Sequence, residues 1–179
     1  VFIGAEISDI DIGKVNTEEI KAIKQAWLKH KVLVFRDQNI TREEHISFGK
    51  HFGQLEVHPF APHPDNYPEI VKIISNEKIQ YAASNWHSDV TWRQEPSMGS
   101  ILRGKVIPEV GGDTSFANTA EAYKRLDSEI RNRVDSLYAI HDFSQAFGKK
   151  MTREEKKTKQ EEFPPARHPV IRTHPITGE

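Results

Sequence analysis

The sequence predicts a mainly β protein with flanking α-helices, built on an antiparallel sandwich or barrel. Three observations predict it. The front end alternates strand, helix, strand and helix; a Pro- and His-rich loop follows; the middle of the chain is then a series of short apolar or alternating segments separated by turn residues. Its 179 residues are compatible with one domain or with part of a larger one.

The first segment places Val1, Ile3, Ile7, Ile10 and Ile12 at spacings that suit one or two short strands. A helix follows, with Asn16 or Thr17 as its cap, Glu18 and Glu19 in its first turn, and Ile20, Ile23, Trp27 and Leu28 on one face. KVLVFR, Lys31 to Arg36, is short and β-branched and reads as a buried strand. Thr41 with Glu44 forms a capping-box pattern for a second helix that presents Ile46, Phe48 and Phe52 before Gly53. VHPFAPHPDNYP lacks many backbone donors and is expected to be a fixed loop.

Beyond it, strands are expected at Ile70 to Ile74, Asn85 to Trp92, Ser100 to Arg103 and Thr114 to Ala117. Helical pieces are expected at Ala120 to Leu126 and Ser128 to Leu137, then strands at Tyr138 to His141 and His168 to Pro175. Met151 to Glu162 is almost wholly charged and suits a mobile loop or a solvated helix. No internal repeat and no Gly-rich phosphate loop is present.

Charge narrows the partners. Lys and Arg number 25 against 26 Asp and Glu, so no global field favours nucleic acid or an anionic membrane, and a small-molecule partner is expected. A homo-oligomer is compatible with this. Cysteine is absent, which excludes disulfides and thiolate metal sites and leaves any metal to His, Asp, Glu or water. No apolar run approaches the roughly 20 residues of a membrane span, and a secretion signal is not evident, so a soluble cytoplasmic protein is expected. The absence of an initial Met and the turn-type HPITGE end suggest that both ends are cut.

WHSDVTW, Trp86 to Trp92, is where chemistry is expected. In a strand His87, Asp89 and Thr91 point one way, and Trp86, Ser88, Val90 and Trp92 the other. Residues two apart have Cα atoms roughly 6.5 to 7 Å apart, so an imidazole and a carboxylate can lean onto one ion. They are two parts of the two-His, one-carboxylate face that holds non-haem Fe(II). An ordinary half-buried strand remains the other reading of the same pattern. His63 and Asp65 have the same spacing, but Pro64 lies in an irregular loop that does not align them.

WHSDVTW, followed by PSMGSILRGKVIPEVGGDTSFANTAEAYKRL, HDFSQAF and RHPVIRTHPITG, resembles the taurine dioxygenase (TauD/TfdA) family of Fe(II)- and 2-oxoglutarate-dependent oxygenases over nearly the whole chain. The resemblance implies a cupin-like double-stranded β-helix, or jelly-roll, with residues 1–179 as one domain incomplete at its C-terminus. It implies Fe(II), 2-oxoglutarate as cosubstrate, and O2. Carried over by position, His87 and Asp89 are similar to the first two iron ligands, Thr114 to the threonine that binds the distal carboxylate of 2-oxoglutarate, and His58, Val90 and Phe147 to substrate-binding residues.

The implied reaction hydroxylates a small organic acid, foremost a taurine-like sulfonate or an alkyl sulfate ester, with release of succinate and CO2. Hydroxylation beside the heteroatom gives a product that collapses to an aldehyde and sulfite or sulfate. The family's second histidine and its 2-oxoglutarate-clamping arginine are expected beyond Glu179, about the last third of such an enzyme, and neither His168 nor His174 takes the ligand role. Ala61 and Ala83 stand where the taurine enzyme places a tyrosine and an asparagine, which favours a less polar acid. The competing readings are a jelly-roll binding or structural protein without catalysis, and a zinc hydrolase, for which only His87 and Asp89 speak.

Overall fold

Asn16 begins the first helix, α1 (Thr17–His30), because its side-chain oxygen accepts from the amides of Glu18 and Glu19 while Glu19 accepts from the Asn16 amide at 2.7 Å. Thr41 and Glu44 repeat this device at the start of α2 (Arg42–Lys50). These details come from a computed structural model that describes residues 3–76 and 85–179.

Helix α1 crosses between two parallel strands, β1 (Ala5–Ile7) and β2 (Leu33–Phe35), with Ala5 opposite Leu33 and Ile7 opposite Phe35. Parallel pairing needs a crossover of this kind. Ile12, Ile20, Ile23, Ile40 and Phe48 are buried together, and Leu33, Phe35 and Phe52 pack against them. Gln38 ties the connection down by donating to the carbonyls of Ile10 and Arg36 and accepting from the amide of Ile12. The front end follows the expected order of strands and helices, with strands shorter than their apolar runs, but β2 is not the buried strand expected, since Val34 is exposed.

The middle departs from it. Ile70 to Ile74, Asn85 to Trp92, Ser100 to Arg103 and Thr114 to Ala117 are irregular rather than strands. A strand needs a hydrogen-bonded neighbour as well as an apolar pattern, and these segments have no ladder partner among the described residues. Ile73, Leu102 and Phe116 are accordingly exposed.

Regular structure resumes with α3 (Thr119–Lys124), α4 (Ser128–Val134) and β3 (Tyr138–His141). A short α5 (Ser144–Phe147), a 3-10 turn and α6 (Arg153–Glu162) lead to β4 (Ala166–Pro169). Strands β3 and β4 pair antiparallel, with His141 opposite Ala166 and Ala139 opposite His168. The last strand thus ends at Pro169, not Pro175; His174 instead accepts from the amides of Ile176 and Thr177 in a terminal turn. The charged segment forms the helix, not the mobile loop, because Thr152 and Glu155 make a third capping box.

A second, aromatic core joins this half to the Pro-rich loop. Phe60 stacks on Phe143 at 4.9 Å and on Phe147 at 5.2 Å, and Trp92 and Phe163 close the cluster edge-on. Helix α6 docks on it through Lys159, whose ammonium lies over the rings of Phe60 and Phe163, and through Gln160, which donates to Asp142. No helix among the described residues is long and apolar enough to cross a membrane.

Candidate functional site

His87 and Asp89 sit in a turn-like stretch and are exposed. Val90 adopts φ 47°, and the Arg93 amide donates to its carbonyl. This breaks the alternation expected of a strand. Trp86 is 73% exposed while Trp92 is 7% exposed, so the two indoles do not share a packed face. His87 and Asp89 nonetheless converge, because neighbours two residues apart remain within reach in a turn: His87 Nε2 lies 3.4 Å from Asp89 Oδ1.

The other ring nitrogen decides what this pair can do. His87 Nδ1 lies 2.8 Å from the carbonyl oxygen of Asn85. A carbonyl only accepts, so Nδ1 carries the proton, and in the neutral ring the Nε2 lone pair faces the carboxylate. Two acceptors face to face can share a donor or a cation between them, a water, a proton or a metal ion. Two donors each about 2.1 Å from one ion lie roughly 3 to 3.5 Å apart, so the observed spacing fits a shared ion. A carbonyl on the far nitrogen is also the usual support of a metal-binding histidine. Ser100 donates to Asp89 Oδ2 at 3.2 Å, leaving Oδ1 for the His87 side. Among the described residues no group of three or more His, Cys, Asp or Glu that could hold a metal ion converges.

His58 lies against Phe147, Phe60 and Trp92, with ring centroids 5.2, 6.1 and 6.1 Å away. Its Nδ1 accepts from the Phe60 amide, so the neutral ring carries its proton on Nε2 and can donate there. Burial pushes the His58 pKa below the usual imidazole range; the positive charge of Arg93 acts the same way, and the carboxylates of Glu56 and Asp89 act against it. His58 and Phe147 are therefore brought together, with the charge of Asp89 within electrostatic reach of the histidine.

The remaining expected residues are less gathered. Val90 is partly buried at its turn. Thr114 is exposed after Gly111 and Gly112, which take positive φ, and among the described residues it makes no hydrogen bond to His87 or Asp89. Ala61 is partly buried beside Phe60, and Ala83 lies outside the described residues.

Several residues around the pair were not read from the sequence. Arg93 Nε donates to Glu56 at 2.7 Å, and Ser97 donates to the second Glu56 oxygen. His141 Nδ1 lies 2.9 Å from the Thr91 hydroxyl, and His168 Nε2 lies 2.8 and 2.9 Å from the carbonyls of Thr91 and Arg93. The only local signal was that HDFSQAF and RHPVIRTHP each contain a histidine in a short strand.

The chain is similar to several known proteins. An alkylsulfatase of Acinetobacter baylyi is 35% identical over 99% of this chain and 58% of its own length. An alpha-ketoglutarate-dependent sulfate ester dioxygenase of Pseudomonas putida is 33% identical over 99% of the chain and 61% of its own. The chain thus spans about three fifths of the length of these curated relatives. Among solved structures, a taurine dioxygenase from Burkholderia xenovorans superposes with a TM-score of 0.78 at 35% identity, covering 100% of this chain and 58% of that one. The structure of AAD-2 in complex with Mn(II) and N-oxalylglycine superposes with a TM-score of 0.74 at 27% identity, covering 99% and 64%. The model of the taurine catabolism dioxygenase TauD, TfdA family matches residues 1–179. By that match over residues 1–179, the chain belongs to the TauD/TfdA dioxygenase family.

Proposed function

We propose that the protein is an Fe(II)- and 2-oxoglutarate-dependent dioxygenase that hydroxylates a small organic acid, foremost a sulfonate or an alkyl sulfate ester, and releases succinate and CO2. The observation that carries this is the His87 and Asp89 pair, with Nδ1 of His87 committed to the Asn85 carbonyl and Nε2 turned to the carboxylate. Family membership, the sulfate-ester relatives and the Mn(II) in a similar structure support it.

His87 Nε2 and Asp89 Oδ1 would hold the metal, and the bound Fe(II) with 2-oxoglutarate supplies the oxidising chemistry. The role of this chain's residues is binding and placement. His58, kept neutral by burial, offers an Nε2 proton to the anionic head of a substrate. Phe147 and Trp92 exclude water beside it and accept an apolar body. Thr114 offers a hydroxyl to the far carboxylate of 2-oxoglutarate, and Val90 lines the approach. Ala61 leaves room for a less polar substrate than taurine. We assign residues 1–179 to a single domain of the jelly-roll type, and assign the second histidine and the arginine of the family pattern to no residue of this chain.

The test is anaerobic addition of Fe(II) and 2-oxoglutarate to the full-length protein. A visible charge-transfer band that is lost in Asp89→Ala is expected. If no band appears, or if it survives that substitution, the protein binds without this chemistry. Succinate release across sulfonates, sulfate esters and aryloxy acids then selects the substrate, and no stimulation by any sulfur compound would remove the sulfur-acid reading.

A further inference from the structure

Among the described residues the segment carrying His87 and Asp89 has no ladder partner, yet its C-terminal side is held at consecutive points. Trp92 is buried in the aromatic core, Arg93 is paired with Glu56, and the Thr91 hydroxyl meets His141. The fourth hold is unusual in kind. His168, from strand β4, places one ring nitrogen 2.8 Å from the Thr91 carbonyl and 2.9 Å from that of Arg93. Both partners only accept, so Nε2 carries a proton shared between them.

We propose that His168 is a positioning residue that stands in for a neighbouring strand: by donating to two alternate carbonyls it holds residues 87–93 in the arrangement where His87 and Asp89 meet. Thr91 lies two residues from Asp89, and its carbonyl and its hydroxyl are both engaged by the β3 and β4 pair, through His168 and His141. Ordering an irregular segment costs backbone conformational entropy. Without these holds that cost falls on metal binding. The rings of His141 and His168 lie 5.3 Å apart, edge to face, so the two holds support one another.

The role in metal binding rests on the dioxygenase reading; the role in ordering the segment does not. The experiment therefore has two arms on the full-length protein, each with wild type, His168→Ala, His168→Gln and, as a control on the same strand, Arg167→Ala. Gln keeps an N–H donor at the reach of Nε2. Arg167 sits over the Tyr138 ring. In the first arm, amide hydrogen exchange of residues 85–93 is followed without metal. Faster exchange in His168→Ala, partial restoration in His168→Gln and none of it in Arg167→Ala are expected.

In the second arm, Mn(II) alone is titrated by electron paramagnetic resonance, with affinity expected to fall about tenfold or more in His168→Ala and to recover in His168→Gln. Wild-type exchange in His168→Ala, or a His168→Gln variant as impaired as His168→Ala, overturns the proposal. If wild type binds no Mn(II) while exchange responds as stated, the metal reading fails and the ordering role stands. Should His168→Ala not fold, His168→Asn, whose shorter amide cannot reach both carbonyls, takes its place against His168→Gln.

Discussion

His87 turns Nδ1 to the carbonyl oxygen of Asn85 at 2.8 Å and Nε2 to Asp89 at 3.4 Å. Both side chains are more than half exposed, so their mutual attraction contributes little to stability. Asp89→Asn keeps the shape and removes the charge. We expect metal affinity, measured by calorimetric titration of the full-length protein, to fall tenfold or more, while the unfolding free energy, measured by urea denaturation, changes by no more than about 0.5 kcal/mol. Equal losses in both would make the pair a structural contact.

The two tryptophans of the same stretch predict opposite outcomes. Trp92→Ala opens the aromatic core between Phe60, Phe143 and Phe163 and is expected to cost about 3 to 5 kcal/mol. Trp86→Ala, at a position 73% exposed, is expected to stay within about 0.5 kcal/mol. Urea denaturation of the two variants decides this, and similar losses would restore the strand reading in which both indoles pack.

Gly99 lies under the indole of Trp27. A methyl group there would come 2.6 Å from Trp27 Cζ2 and 2.9 Å from Cη2, so the ring or the loop must move. Gly99→Ala is expected to cost about 1 to 3 kcal/mol. Its cost should shrink in a Trp27→Leu background, as a double-mutant cycle would measure; additive losses would place the strain elsewhere.

Protonation couples to stability through His58 and His45, both held below the ordinary imidazole range chiefly by burial. The folded protein prefers the neutral rings, so the unfolded chain takes up protons first as pH falls. The stability they contribute is present above the unfolded value of about 6.5 and is lost as pH falls through the lower folded values. Denaturation midpoints between about pH 5 and 7.5 should therefore rise with pH below about 6.5 and then level. His58→Gln should flatten that rise, and an unchanged slope would show that His58 is not among its causes.

Local chemistry was legible in the residues. The caps at Asn16 and Thr41 bond to amides two or three positions away, so their order in the chain specifies the geometry. The same is true of Thr152, which turns a segment with no buried residue into a solvated helix. Asn85 to Trp92 was legible only in part. Its period of two is a strand pattern, but pairing depends on a neighbour that no local pattern names, and Val90 enters a positive-φ turn instead.

By itself the sequence determined the front helices, the family and the closeness of His87 to Asp89, since two residues of spacing bring those side chains within reach in a strand or a turn. Tertiary structure alone decided which tryptophan is buried, that α6 lies on the aromatic core through Lys159, and that His168 reaches back to the carbonyls of Thr91 and Arg93. Those contacts join residues separated by 75 and 77 positions in the chain. Nothing in the local pattern of either partner encodes a distance between them; it is set by the pairing of β3 with β4 and the packing of Trp92 against Phe143 and Phe163.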